Sequence, residues 1–432
     1  MKSAERRPAS RQRSARGAVV PRTAGQPTNA APSRSAWDPL RGRLFRILWA
    51  AALASSLGSW VEGVTVMWRM ADLTRSPLLV SLVQTAGSLA IVALAVPAGA
   101  ISDLWPRKAI LVVSQGWAVA TMLAFTMTAV LGALSPPLIL ALTFSLGLAT
   151  TLGWPAWQMT LPEVALPTQL PAAVALNSAQ WNIAQVLGPV LTGVVLAIGG
   201  ATPALALSAL GFAAFFGAAA VWRPPPAPAK GGLVQVHSAA RVALRYARRS
   251  RALRGLLVRT VLYVLPGSTL LALLPLVARR LHEGASGYGF LLSLLGAGAL
   301  LAVALLPRLA ALGPKALVGL GMLVLAVTLV LAGGSSDPWV LWPGLFVAGM
   351  TWLVVPTTLV VAVQRVTPVR YRSRGLGVYL VTYQAALATG SALAGLMAGR
   401  IGIPLTFFSA AAALALGALL AARAQLAGVD GP

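Results

Sequence analysis

The stretch PAGAISDLWPRKAILVV, residues 97–113, ends one long apolar run and starts the next. Asp103, Arg107 and Lys108 stand in a gap of a few residues, and Ile, Leu and Val resume at once. A soluble core has no use for such a step, because buried unpaired ions are costly. Between two membrane spans it is a loop at the water boundary.

Reading outward from this loop supports that choice. Of 432 residues, 57% are hydrophobic and only 10% are charged, with a mean hydropathy of +0.79. Soluble domains carry about 25% charged residues. This chain cannot cover itself with polar surface, so its expected partner is the lipid bilayer. The net charge of +25 would suit nucleic acid if the bases were clustered on a domain. Here they sit between apolar runs, where they face anionic headgroups, and no nucleic-acid partner is expected. Cysteine is absent, which excludes disulfides, thiol catalysis and Cys-based metal sites.

A span needs about 20 apolar residues. The runs fall at 44–70, 76–101, 107–131, 136–160, 171–199 and 201–222, then at 253–279, 286–311, 314–334, 338–364, 375–399 and 402–425. The pattern predicts an all-α membrane protein of twelve transmembrane helices in two pseudo-symmetric six-helix bundles. With the N-terminus inside, 28 of the 34 Lys and Arg lie on the cytoplasmic side. Both termini are therefore expected there.

Residues 1–43 have no apolar segment of signal-peptide type and read as a disordered basic cytoplasmic tail. Two bundles follow, 44–222 and 253–425, before a short tail at 426–432. Between the bundles, residues 223–252 form a cytoplasmic linker. RPPPAPAKGG opens it, and Leu233, Val236, Ala240, Leu244 and Ala247 then share one side of a predicted amphipathic helix.

The halves repeat. TLPEVALPTQLPAAVALNSAQWNIAQVLGPVLTG, from Thr160, parallels VAVQRVTPVRYRSRGLGVYLVTYQAALATGSALAG, from Val361. Gly188 aligns with Gly390 and Gly193 with Gly395, at one common offset. A six-span repeat is a transporter architecture, with the substrate site near the midplane between the halves.

The opening stretch can now be placed between spans 2 and 3. Gly99, Asp103, Arg107 and Lys108 resemble the loop signature of the major facilitator superfamily, with Leu104 and Pro106 departing from it. GPVLTG at 188–193 is similar to the Gly-Pro motif of its antiporter branch. LGSWVEGVTVMWRMADLTRSP, WPAWQMTLPEVALP and AAVALNSAQWNIAQVLGP resemble the exporter branch that includes the enterobactin exporter and macrolide-efflux proteins. The resemblance covers roughly residues 44–425. It implies an exporter of a drug, siderophore or natural product, driven by ion exchange with alternating access. It also implies that Gly99, Asp103, Arg107, Lys108 and Arg374 belong to a latch closing the cytoplasmic side. Physically, Asp103 could cap the start of span 11 near Arg374, or serve as a topology signal with a local salt bridge.

Glu62 is the one acid well inside a span. Placing a carboxylate there costs roughly 2.5–3.5 kcal/mol on insertion scales, so it should face a cavity. Such a group can exchange protons. Three roles are open to it: coupling acid, ion-pair partner of Arg69 on the same stripe, or contact for a cationic cargo.

Further cavity candidates are Gln84, Gln115, Trp154, Trp157, Gln158, Tyr379, Tyr383 and Gln384, with Arg259 in span 7. Asn177, Gln180, Trp181 and Gln185 share roughly one side of span 5. A polar and aromatic wall suits an amphipathic small molecule. The same residues could instead bond between helices or anchor at the interface. Gly188, Gly193 and Gly395 are expected at close helix contacts, and Pro189 at a kink or hinge.

The two histidines lie between apolar runs, and GxxxxGK, HExxH and GxSxG are absent from the sequence. The chain is thus expected to be no enzyme and to use no cofactor or metal ion. The rival readings are an importer of the same fold and a non-transporting receptor or scaffold. Residue usage rich in Ala, Arg, Gly and Pro suits a high-GC bacterial genome, so the expected location is the bacterial cytoplasmic membrane, as a monomer, with protons as the coupling partner.

Overall fold

The computed structural model describes residues 35–224, 249–368 and 372–423. Among these residues the chain is helical, without strands. The predicted amphipathic helix of the linker and most of the N-terminal tail lie outside the described residues.

The helices are α1 (Arg43–Leu73), α2 (Pro77–Leu104), α3 (Arg107–Val130), α4 (Pro136–Val164), α5 (Leu170–Gly199) and α6 (Ala201–Val221). After the linker come α7 (Arg251–Arg280), α8 (Gly284–Leu309), α9 (Gly313–Gly334), α10 (Pro338–Val366), α11 (Arg372–Ile401) and α12 (Ile403–Arg423). Among the described residues, 11 segments are long and apolar enough to cross a membrane. One of them, Gly284–Gly334, contains both α8 and α9, joined by a single 3-10 turn at Ala310–Leu312. The predicted boundaries fall within a few residues of these helices.

Local signals set the ends. Pro77, Pro136 and Pro338 occupy first helical positions, where a missing N–H costs nothing. The Asp337 carboxylate accepts from the Trp339 N–H at 2.9 Å and caps α10. Gly200 and Gly402 turn the chain between α5 and α6 and between α11 and α12, with φ of +76° and +85°. That backbone region penalises side chains. The two glycines are as far apart in sequence as Gly193 and Gly395, so the repeat extends to its turns.

Packing repeats as well. In the first half α1 packs on α5 and α6, α4 on α2 and α3, and α3 on α6. The second half has the same partners six helices on: α7 with α11 and α12, α10 with α8 and α9, and α9 with α12. Small residues make this closeness possible. A Cβ built on Gly58 of α1 would sit 2.9 Å from the Ser208 carbonyl oxygen of α6. In the same way Gly390 of α11 lies against Leu265 and Ser268 of α7. Large apolar side chains such as Leu210, Leu323, Val327 and Leu419 point outward, as helices that meet lipid should.

The halves meet chiefly through α2 with α11 and α5 with α8. Contact is concentrated at the end that carries the α1–α2 turn. There the Thr85 hydroxyl donates to the Ala388 carbonyl at 3.1 Å, Arg279 donates to the Ala71 carbonyl, and Trp68 stacks on Tyr288 with ring centroids 5.9 Å apart. Gly395 abuts Ser81 and Leu78, and Gly193 faces Ser286 and Gly289. Toward the opposite end of α2 and α11, a Cβ on Gly99 or Gly377 would meet nothing within 4 Å.

Candidate substrate cavity

Between the halves lies a cavity of about 700 Å³. It draws residues from α1, α2, α4 and α5 of the first half and from α7, α8, α10 and α11 of the second. Its size is within the range of small-molecule sites.

Glu62 lines it from α1 and is only 6% exposed. Its Oε1 is buried and has no hydrogen-bond partner. Glu62 does not meet Arg69. The Arg69 guanidinium instead reaches Asp72, one turn further along α1, at 3.8 Å. An exposed acid one turn away is the cheaper partner for a base at a helix end, and the buried acid is left alone.

Of the predicted wall, Gln84, Trp181, Gln185, Tyr383 and Gln384 line the cavity, and so does Pro189. The others do not line it. Gln115 is buried beside Ser55, whose hydroxyl donates to it at 3.4 Å. The Trp157 indole N–H donates to Asn177 at 2.8 Å, and the Asn177 amide donates to Gln158 at 3.0 Å. This chain ties α4 to α5. Gln180 donates to the Ala52 carbonyl at 2.9 Å and to Ser56 at 2.6 Å, tying α5 to α1. Trp154 packs edge-on to Trp181 at 5.5 Å. The Tyr379 hydroxyl donates to the Pro356 carbonyl at 3.2 Å, and its ring lies 6.3 Å from that of Tyr383. Arg259 is buried within α7 and donates to the Gly255 carbonyl at 3.3 Å.

The predicted stripe on α5 therefore divides. Asn177 and Gln180 satisfy neighbouring helices, while Trp181 and Gln185 face the cavity. Sequence reasoning passed over Trp60, Thr143, Asn182, Tyr288, Trp352 and Thr357, which also line it. Glu62 marks α1 as a cavity helix, although Trp60, two residues away, lies on another side of that helix. The rotation of α8 and α10 has no comparable marker in the sequence.

The loop residues lie at the end of α2 away from the α1–α2 turn. Gly99 and Asp103 are in the last turns of α2, and Arg107 and Lys108 begin α3. Arg107 is ion-paired with Glu163 near the end of α4, within the first half. Arg374 lies in the first turn of α11. The packing glycines lie at close contacts: Gly188 abuts Trp60, and a Cβ on Gly193 would lie 3.2 Å from the Ser286 carbonyl oxygen.

Comparison with known proteins gives a consistent picture. A family described as transmembrane secretion effector, of the major facilitator type, matches residues 34–431. No curated protein matches the chain. Among solved structures, the fold is similar to a bacterial homologue of the human lysosomal transporter Spinster in an inward-facing, occupied conformation. The TM-score is 0.71 at 14% identity, over 91% of this chain and 99% of that one. It is also similar to a variant of the nucleoside transporter NupG, at TM-score 0.69 and 13% identity over 88% and 99%. A POT family transporter in complex with 5-aminolevulinic acid gives TM-score 0.70 at 11% identity, over 88% and 95%.

Proposed function

The chain belongs to the transmembrane secretion effector family of major facilitator transporters, and on that premise we propose that it exports an amphipathic small molecule in exchange for protons. It is a multi-pass membrane transporter. In this reading α1 to α12 are twelve spans in two bundles of six, with both termini on the cytoplasmic side of a bacterial inner membrane. The end closed by Arg279, Gly193 and Gly395 then faces outward, and the cavity opens to the cytoplasm. Cargo enters from inside, and the halves rock about the cavity to release it.

One observation carries the proposal: a cavity shared by both repeats is lined, among the described residues, by a single carboxylate, Glu62, whose buried oxygen has no partner. A buried, unpartnered ion is expensive, so the site favours whichever species neutralises Glu62. A proton does so during the return step. Asp103, Arg107 and Arg374, at the open end, form the latch that closes the cytoplasmic side in the other conformation.

The test is efflux of amphipathic dyes from proteoliposomes, with and without an imposed pH gradient. Gradient-driven flux in wild type, abolished by Glu62→Gln in protein that still folds, is the expected result. Full coupled flux in the Gln variant would remove Glu62 from the proton path.

A further inference from the structure

We propose that the cavity selects a hydrophobic organic monocation, whose charge occupies the same carboxylate that otherwise holds the proton. This rests on the exporter reading above and names its cargo class. Two features of the lining support it. Among the described residues Glu62 is its only acid and no Lys, Arg or His lines it, so the wall offers one negative charge and no base to balance it. The other titratable groups along it are the phenols of Tyr288 and Tyr383. Arg259, the base within α7, lies about three turns from the lining residues Leu270 and Leu271 and does not line the cavity.

The second feature is aromatic. Trp60 also lines the cavity from α1, and its ring centroid lies 6.5 Å from that of Trp181. Trp352, Tyr288 and Tyr383 complete the aromatic share from the second half. Ring faces carry negative electrostatic character and attract cations that have shed water. An anionic cargo would meet a carboxylate and ring faces with no cation to receive it. A neutral cargo would bind beside a protonated Glu62 and gain nothing from its charge. A hydrophobic cation meets both demands, and its apolar body covers the aliphatic wall of Leu270, Leu292 and Leu387.

A consequence concerns stoichiometry. One carboxylate holds one proton or one ammonium-like charge, not both. Cargo binding requires an ionised Glu62, and protonation from the other side expels the cargo. The exchange is one proton for one monocation, with no net movement of charge.

The experiment measures binding of three probes of similar size to the purified full chain by quenching of tryptophan fluorescence. They are tetraphenylphosphonium (cation), triphenylphosphine oxide (neutral) and tetraphenylborate (anion). The cation should bind at least about tenfold more tightly than the neutral probe, as desolvated cation–aromatic contacts permit. Its affinity should weaken as pH falls, in wild type and Glu62→Asp but not in Glu62→Gln. Equal affinity for the three probes in wild type, a measurement that needs no variant, overturns the proposal. So does cation binding that is indifferent to pH. Gradient-driven flux of the neutral probe, lost in Glu62→Gln, would keep the exporter reading and sink the cation reading. Charge-selective, pH-dependent binding without flux of any probe would support the binding site and sink the exporter.

Discussion

The Arg279 guanidinium donates a hydrogen bond to the Ala71 carbonyl, so the end of α7 is tied to the end of α1 across the two halves. The carbonyl end of a helix carries partial negative charge, and a cation is favoured there. Asp72, in the ion pair with Arg69, adds a full charge beside it. Arg279 is exposed, so the tie is screened and contributes about 1 kcal/mol, not the value of a buried charged bond. Arg279→Ala should loosen the closed end by about that much. Because the chain has no cysteine, spin labels on cysteines introduced at Arg75 and His282 can report it directly. A longer-distance population should grow in the variant. An unchanged distance distribution would show that the tie does not hold this end.

Gly193 and Gly395 are repeat counterparts, and each sits where one half touches the other. Their equivalence is spatial as well as numerical, since both seams lie at the same end. Gly395→Leu should wedge α11 from Ser81 and Leu78 of α2, and Gly193→Leu should wedge α5 from α8. Overpacking a tight contact typically costs about 1–3 kcal/mol, enough to disfavour the closed end strongly. Gly399 is the control, because a Cβ there meets nothing within 4 Å. Transport should fall at least about tenfold in either Leu variant and stay near wild type in Gly399→Ala. Loss of activity in the control would point to helix backbone effects instead.

How much of this was legible in the sequence follows from which physics leaves a local trace. The helices were readable because each needs its own apolar run, and Pro77, Pro338 and Gly200 mark their ends. The repeat was readable because matching glycines must recur where backbones approach. Glu62 stood out because a carboxylate inside a span must be accounted for. What the sequence leaves open is helix rotation. Asn177 and Gln185 share a predicted stripe, yet one turns to Trp157 and Gln158 and the other to the cavity. Trp352 and Tyr288 look like any aromatic residue in a span until α8 and α10 are oriented. The Glu62–Arg69 pairing was sound spacing, but Asp72 lay nearer to Arg69 at lower cost.

That split on α5 gives a paired prediction. Asn177→Leu removes the acceptor of the Trp157 indole and strands a buried donor, at about 1–3 kcal/mol. Thermal unfolding in detergent should occur several degrees lower, with transport by the folded fraction largely kept. Gln185→Ala should do the reverse, leaving unfolding near wild type and changing the apparent affinity for cargo. If Asn177→Leu alters cargo affinity at full stability, Asn177 belongs to the site after all.

The ion pair of Arg107 with Glu163 separates two roles for the loop between α2 and α3. It joins the start of α3 to the end of α4, inside one half, with both side chains partly buried. Arg107→Ala leaves Glu163 without its partner, costing about 1–2 kcal/mol, between the exposed and buried extremes. Lower thermal stability is the direct readout. The exchanged pair, Arg107→Glu with Glu163→Arg, restores the attraction in reversed order. If Arg107 serves only to brace α3 against α4, the exchange should recover both stability and transport. If it also engages α11 when the cytoplasmic side closes, as the proposed latch requires, stability should return while transport stays low. Recovery of both would confine Arg107 to its own half and leave the latch to Asp103 and Arg374.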